Sequence, residues 1–475
     1  MTATIEFRPK IGSIAVVRIC VVVALPFILV ALTPFYYRHD IENFRLWAEC
    51  LDLYGRQIYL SCEMEAPPNY PFVGLMASAG VLHAIKSIAG ITDGASLDII
   101  FRYFLAAVDV VNFVLIMAIA RMMRLRYPFW IALALLVIPS NLVGGAIWGQ
   151  IDNISLLFCL ITTVALIKSC SAIRQNENRM GQGDWLPFGW LMLALLAMAA
   201  YLLTKQLNVF SIPYLVLFVG VIVIGFWRTW KFAGLIIAIG VVVLFGVVLF
   251  GMDQILSVAS QFHGSGYYYV WTGGGSEHAS KISGNGFNIW MFLGWDMRSP
   301  SMRPFSLLWD ENAVLIARPY YLGIGLYLFF MLFLLITVLS MVQRLPYLSR
   351  ETGFDPQPAL VAVLFLYHGL SYLGFNVLLT GTHERYMYSG YPFLLLAVTW
   401  FLTRRFVVSW RYAALCFFSA IAYGFFVFSR IGPLPGVLFA FEQHQFQAAL
   451  HLFLLIVLLD AWWQIWRRRD ELARL

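Results

Sequence analysis

Arg38-His39-Asp40-Ile41-Glu42-Asn43 places two carboxylates two residues apart, directly after the first long apolar run. A carboxylate at the rim of a cavity can act as general base toward an attacking hydroxyl. Two together can share a divalent cation such as Mg or Mn. The plainer reading is the polar start of a loop. Far along the chain, Thr382-His383-Glu384-Arg385-Tyr386-Met387-Tyr388 crowds His, Glu, Arg and Tyr into a link that needs only a short turn. Arg grips phosphate oxygens bidentately, His383 can add a second donor, and Glu384 can orient either.

Four further clusters carry polar chemistry. Trp148-Gly149-Gln150-Ile151-Asp152-Asn153 lies between two apolar runs with no basic residue beside it. Polar groups at membrane depth are costly and point to function, here at Gln150 and Asp152. Thr204-Lys205-Gln206 breaks another apolar stretch. A snorkelling lysine at a helix end accounts for Lys205. So does an anionic ligand such as phosphate, if this turn lies away from the cytoplasm. Pro67-Pro68-Asn69-Tyr70-Pro71 blocks a helix start and fixes an extended turn, a hinge that would also steady the loop carrying Asp40. Gly284-Asn285-Gly286-Phe287-Asn288-Ile289-Trp290 joins amides to aromatics. Asn285, Asn288 and Trp290 suit sugar binding, and equally a membrane-interface belt.

The elements that must position these clusters are transmembrane helices. The 475 residues are 61% hydrophobic and 12% charged, and mean hydropathy is +0.78. Soluble domains are nearer ~25% charged. Unbroken apolar runs such as 235–250 exclude a barrel, whose strands would alternate. The expected fold is all-α: a single integral membrane domain over 1–475, a polytopic helical bundle of about 11–13 spans. Its long polar stretches are 36–69 and 252–315, and long loops are usually functional.

The net charge of +7 sits in short clusters: Arg8/Lys10, Arg121/Arg124/Arg126, Lys168/Arg174/Arg179, Arg228/Lys231, Arg344/Arg350, Arg404/Arg405 and Arg467/Arg468/Arg469. That is the positive-inside pattern of cytoplasmic loops, not a nucleic-acid surface. The first run follows Arg8 and Lys10 without an obvious cleavage site and reads as a retained helix. Placing the basic clusters in the cytoplasm puts every polar cluster above on the opposite face. Simple alternation then fails once, between runs 70–90 and 98–120. The second carries Arg102, Asp109 and Asn112, so it is the expected re-entrant or flat segment. Cys50 and Cys62 share the 36–69 loop and would pair if it faces an oxidising compartment. The other four cysteines lie in or beside apolar runs and read as small hydrophobes, and no spacing suggests zinc.

The order of a carboxylate loop, NYP, WGQID, TKQ, an N-x-F-N-x-W loop and HERY resembles the GT-C superfamily of integral membrane glycosyltransferases. It is nearest in flavour to bacterial relatives of the GPI-anchor mannosyltransferases, and is also similar to the dolichol-phosphate-glucose-dependent glucosyltransferases. The resemblance covers about residues 14–390, with WGQID and HERY its most specific pieces. It implies inverting transfer of a hexose, mannose favoured and glucose possible, from a polyprenyl-phosphate-sugar donor to a hydroxyl of a glycan or lipid acceptor. It implies a bacterial inner membrane and a periplasmic site. Asp40 matches the expected base, with Glu42 sharing or replacing it in a D-x-E pattern where the family has D-x-D. His383 and Arg385 match the motif near the donor phosphate, with Lys205 assisting. Glu384, Gln150, Asp152, Asn69, Tyr70, Gln206, Asn285, Asn288 and Trp290 line the site. Competing readings are a ligase or polymerase using a polyprenyl diphosphate, through His263, His278, Lys281 and Arg298, and a transporter or flippase. A transporter predicts charges near mid-helix and inverted repeats; here most charges sit at run ends.

Overall fold

The computed structural model describes residues 13–55, 58–62, 68–177, 186–229, 280–284, 286–293, 298–303, 305–306, 316–344 and 357–472. Run 232–251, Asn285 and most of 252–315 lie outside them. Among the described residues the molecule is helical, with only two-residue strands. Seven described helices are long and apolar enough to cross a membrane, or eight if one bent pair is a single span. Four shorter apolar helices accompany them. This is a multi-pass integral membrane protein.

The first helix, α1 (Ser13–Leu32), leads into α2 (Arg38–Tyr54). What reads as a loop in the sequence therefore opens with an amphipathic helix. Ile41, Phe44, Trp47 and Ala48 recur at helical spacing and are buried, while charges occupy the other face. Phe44 and Trp47 pack with Tyr70 and Phe101 at ring separations of 5.5–5.9 Å. Such aromatic pairs add roughly 0.5–1.5 kcal/mol each beyond burial. Cys50 and Cys62 form a disulfide that pins the helix's far half to the next segment.

The run Phe72–Ala89 begins beside the 204 turn and ends against α2. At its start Gly74 N–H donates to Leu203 O at 3.0 Å. A Cβ on Gly74 would lie 2.0 Å from Thr204 O, so only glycine permits this approach. Its last helix, α3 (Val81–Ala89), carries His83 and Lys86, which pair with Asp52 of α2 at 2.6 and 3.0 Å. Next comes α4 (Gly94–Met122), capped by Asp93, whose carboxylate accepts from Ser96 N at 2.8 Å. Asp98 in its second turn accepts from Tyr36 Oη at 2.9 Å and pairs with Arg45 of α2 at 3.3 Å. So α4 begins on the face where α1 ends, and the intervening chain makes no net crossing.

That resolves the alternation problem and corrects the expectation that 98–120 is the odd segment. α4 is a continuous helix of 29 residues, about 44 Å long against ~30 Å of hydrocarbon. Its first turns can therefore carry Asp98 and Arg102 near the surface. Phe72–Ala89 is apolar and long enough to span, but it lies along α2. With it removed from the count, the described basic clusters fall on one face and the polar clusters on the other.

After α4, a span is broken. α5 (Pro128–Val137) meets Pro139–Ile147 at 60°. Pro139 cannot continue the hydrogen-bond ladder, and Asn141 Nδ2 donates to Leu135 O. α6 (Asp152–Glu177), α7 (Leu186–Leu202), α8 (Ile212–Thr229) and α9 (Pro319–Arg344) follow. α10 (Gln357–Leu378) and α11 (Tyr391–Thr403) form the centre, with almost every described residue buried. α12 (Trp410–Phe428) and α13 (His444–Arg467) complete the bundle. The HERY turn thus hangs on the two most enclosed helices, and such support holds side chains in place.

Candidate active site

Five of the six polar clusters meet in one place. Asp40 lies in the first turn of α2, and its Oδ2 accepts from Arg385 Nη1 at 2.8 Å and from Trp148 Nε1 at 3.0 Å. Arg385 also lies over the Trp148 indole, 6.0 Å from the ring centroid. Tyr37 stacks on Trp148 at 4.8 Å, and its N–H donates to Trp148 O. The turn after Trp148 needs Gly149, whose φ is +87°. Gln150 Oε1 accepts from Tyr70 Oη at 3.0 Å. Lys205 Nζ bonds Asp152 Oδ1 at 2.5 Å and stands 5.7 Å from the Tyr70 ring centroid. Gln206 Nε2 donates to Asn69 O and so ties the TKQ turn to the NYP turn.

The chamber is dry. Gln150, Lys205 and Asp152 are 1%, 5% and 6% exposed. Its charges come as two carboxylate–cation pairs, Asp40–Arg385 and Asp152–Lys205. Burial raises the Asp40 carboxyl, but Arg385, the Gln150 and Trp148 donors and Lys205 outweigh it, leaving Asp40 below the usual carboxylate range. Burial lowers the Lys205 ammonium, against the opposing pull of Asp152. Burial also raises the Tyr70 phenol, so it stays a neutral donor.

Glu42 is not brought to this chamber. Residues two apart on a helix do not face each other. Glu42 is exposed and lines a separate cleft of 460 Å³ with Arg45, Glu49 and Lys86. Asp40 and Glu42 therefore do not fit a shared divalent cation, and among the described residues no group of three or more His, Cys, Asp and Glu forms a metal site.

The remaining cluster supports the HERY turn from behind. β1 (Ser283–Gly284) pairs with β2 (Thr382–His383) in parallel. Gly286 N–H donates to Thr382 O at 2.8 Å, and Trp290 Nε1 to Leu378 O at 2.8 Å. Asn288 Nδ2 donates to Ile282 O at 2.8 Å and is fully buried. Asn288 and Trp290 thus brace the HERY turn. His383 packs against Gly284 and edge-on to Tyr386 at 5.2 Å. Asn285 and the Glu384 side chain lie outside what is described, as do His263 and His278 of the late loop.

Two side chains in contact with Asp40 or its support are given no role by the sequence reading. Trp148 stands in the sequence only as part of WGQID, although an indole N–H beside polar residues is a donor seeking an acceptor. Arg102 donates from Nε to Ala146 O at 3.1 Å and from Nη2 to Thr33 O at 3.0 Å. Nearby, Asp109 accepts from Asn153 Nδ2 at 3.0 Å, and Asn112 Nδ2 donates to Asn153 O at 2.9 Å. Arg102 thus satisfies a carbonyl at the end of the broken span, and Asp109 and Asn112 hold Asn153 of the WGQID segment.

Fold and site together define a multi-pass membrane protein with a charged, largely enclosed chamber at one set of helix ends. No family profile matches the chain, and no curated protein matches it. A crystal structure of ArnT from Cupriavidus metallidurans bound to undecaprenyl phosphate is similar over 96% of this chain and 77% of that one. The TM-score is 0.45 and the identity 13%, a likeness that assigns no activity.

Proposed function

We propose that the protein is a glycosyltransferase of the GT-C type, moving a hexose from a polyprenyl-phosphate donor to an acceptor hydroxyl on the non-cytoplasmic face. The observation that carries this reading is Asp40 held between Arg385 and the Trp148 indole, with Lys205 in the same chamber. A phosphodiester entering the chamber competes with Asp40 for Arg385 and gains Lys205 as a second cation. Both then stabilise the negative charge that grows on the departing phosphate. Asp40, released from its cation, regains basicity and takes the proton of the acceptor hydroxyl as that oxygen attacks the anomeric carbon from the side opposite the phosphate. The anomeric centre inverts. The polyprenyl chain remains in the lipid, and its phosphate, already a good leaving group, needs no general acid. A bacterial inner membrane, with the chamber on the periplasmic side, agrees with the basic clusters on the other face.

The test supplies purified protein with radiolabelled polyprenyl-phosphate hexoses and membrane extract as acceptor. Label should pass from one donor, and Asp40→Asn should slow transfer by roughly 10²–10⁴-fold. Absence of transfer from every donor overturns the reading.

A further inference from the structure

We propose that Asp152 reads a hydroxyl of the donor sugar, making the WGQID loop the specificity element of the chamber. This rests on the glycosyltransferase reading above. Asp152 is nine-tenths buried, and only one of its oxygens is used. Oδ1 holds Lys205 Nζ; Oδ2 is buried with no hydrogen-bond partner among the described residues. A buried carboxylate oxygen without a donor is rare and costly, and marks a position that something else fills. Two neighbouring hydroxyls are already committed. Tyr70 donates to Gln150, and Tyr372 bonds Tyr201 and Ser211. The protein thus presents a fixed acceptor beside Lys205, whose ammonium stands 5.7 Å from the centroid of the Tyr70 ring.

Position selects the donor sugar over the acceptor. Lys205 is shared between Asp152 and the field at Asp40. If Lys205 meets the phosphate, the sugar joined to that phosphate brings its ring hydroxyls within reach of Asp152. A carboxylate that must be satisfied by a hydroxyl discriminates strongly against a sugar lacking it, because the oxygen is then left desolvated and unpaired.

The experiment measures kcat/KM for a set of polyprenyl-phosphate sugars, each lacking or inverting one ring hydroxyl. The wild type should lose about 10–100-fold on one analogue. In Asp152→Asn that preference should shrink to within about threefold. Asp152→Asn leaves Lys205 buried without its partner, so Asp152→Asn/Lys205→Met is measured beside it. The double variant removes both charges, and any loss at the phosphate applies to all analogues alike. The proposal is overturned if the preference persists in either variant, if the wild type loses equally on every analogue, or if discrimination appears only among acceptor analogues. A wild type inactive with every donor would instead remove the glycosyltransferase reading itself.

Discussion

Asp40 Oδ2 and Arg385 Nη1 meet at 2.8 Å although 345 residues separate them in the chain. One belongs to an amphipathic helix outside the first span, the other to a turn between the two most buried helices. The pair joins a flank to the core, so it is expected to couple stability and activity differently. Asp40→Asn and Arg385→Met should each destabilise by about 1–3 kcal/mol, because a lone charge is left in a mostly closed chamber. The double variant should recover most of that. Transfer should fall at least about 100-fold in each single variant and little further in the double, since the two act as one unit. Thermal unfolding in detergent and initial rates measure the two quantities; additive stability losses would mean that the contact carries no energy.

The pH response follows from Asp40 being held below the usual carboxylate range by Arg385 and its donors, against the opposing effect of burial. Its folded pKa is depressed relative to an unfolded value of about 3.9, so the unfolded chain binds the proton first as pH falls. The stability supplied by this carboxylate is complete above that value and disappears as pH drops through the lower folded one. The difference in unfolding temperature between wild type and Asp40→Asn should be constant from about pH 8 to 5 and shrink below about pH 4. A difference that shrinks on the alkaline side instead would place the charge elsewhere.

Much of this arrangement is legible in the sequence, for definite reasons. Asp40, Gln150, Asp152, Lys205 and Arg385 stand out because polar groups are expensive beside apolar runs, and the structure brings those five together. Glu42 is misread because D-x-E looks like a pair only if the backbone is a loop; the helical phase of Ile41, Phe44 and Ala48 was present and turns Glu42 away. Asn288 and Trp290 carry chemistry suited to sugar, and in the structure Asn288 Nδ2 donates to Ile282 O and Trp290 Nε1 to Leu378 O. The roles of Arg102 and Asp109 depend on where the broken span ends: Arg102 donates to Ala146 O and Asp109 accepts from Asn153 Nδ2. No local pattern says which helix supplies those partners.

Topology gives a prediction independent of activity. Phe72–Ala89 passes a length-and-hydropathy test for a span, yet both its ends contact non-cytoplasmic elements. Single cysteines replacing Lys86 and Arg124 should therefore label from opposite sides: position 86 from outside intact cells, position 124 only after permeabilisation. The same face should be oxidising, because the Cys50–Cys62 disulfide lies on it. Closing a loop of that size stabilises by about 3 kcal/mol on a chain-entropy estimate. Cys50→Ala/Cys62→Ala should lose a comparable amount. Labelling of position 86 only after permeabilisation would restore a crossing at Phe72–Ala89 or, if position 124 then labels from outside, invert the assignment of the chamber's face.

Arg102 should act on catalysis without touching substrate. Its guanidinium donates to Thr33 O at the end of α1 and to Ala146 O just before Trp148. The chain leaving Thr33 leads to Asp40, and Trp148 donates to Asp40. One buried side chain therefore sets the spacing between the base and its indole donor. Arg102→Met keeps the apolar stem but removes two charge-assisted bonds, each worth about 1.5–3 kcal/mol. The expected loss is about 3–5 kcal/mol of stability, with kcat lowered roughly 10–100-fold and donor KM nearly unchanged. Arg102→Lys, which retains charge but reaches fewer acceptors, should recover part of kcat. A purely structural role would lower stability and leave kcat of the folded fraction intact, so kcat per folded molecule, read beside the unfolding curve, separates positioning of Asp40 from support of the bundle.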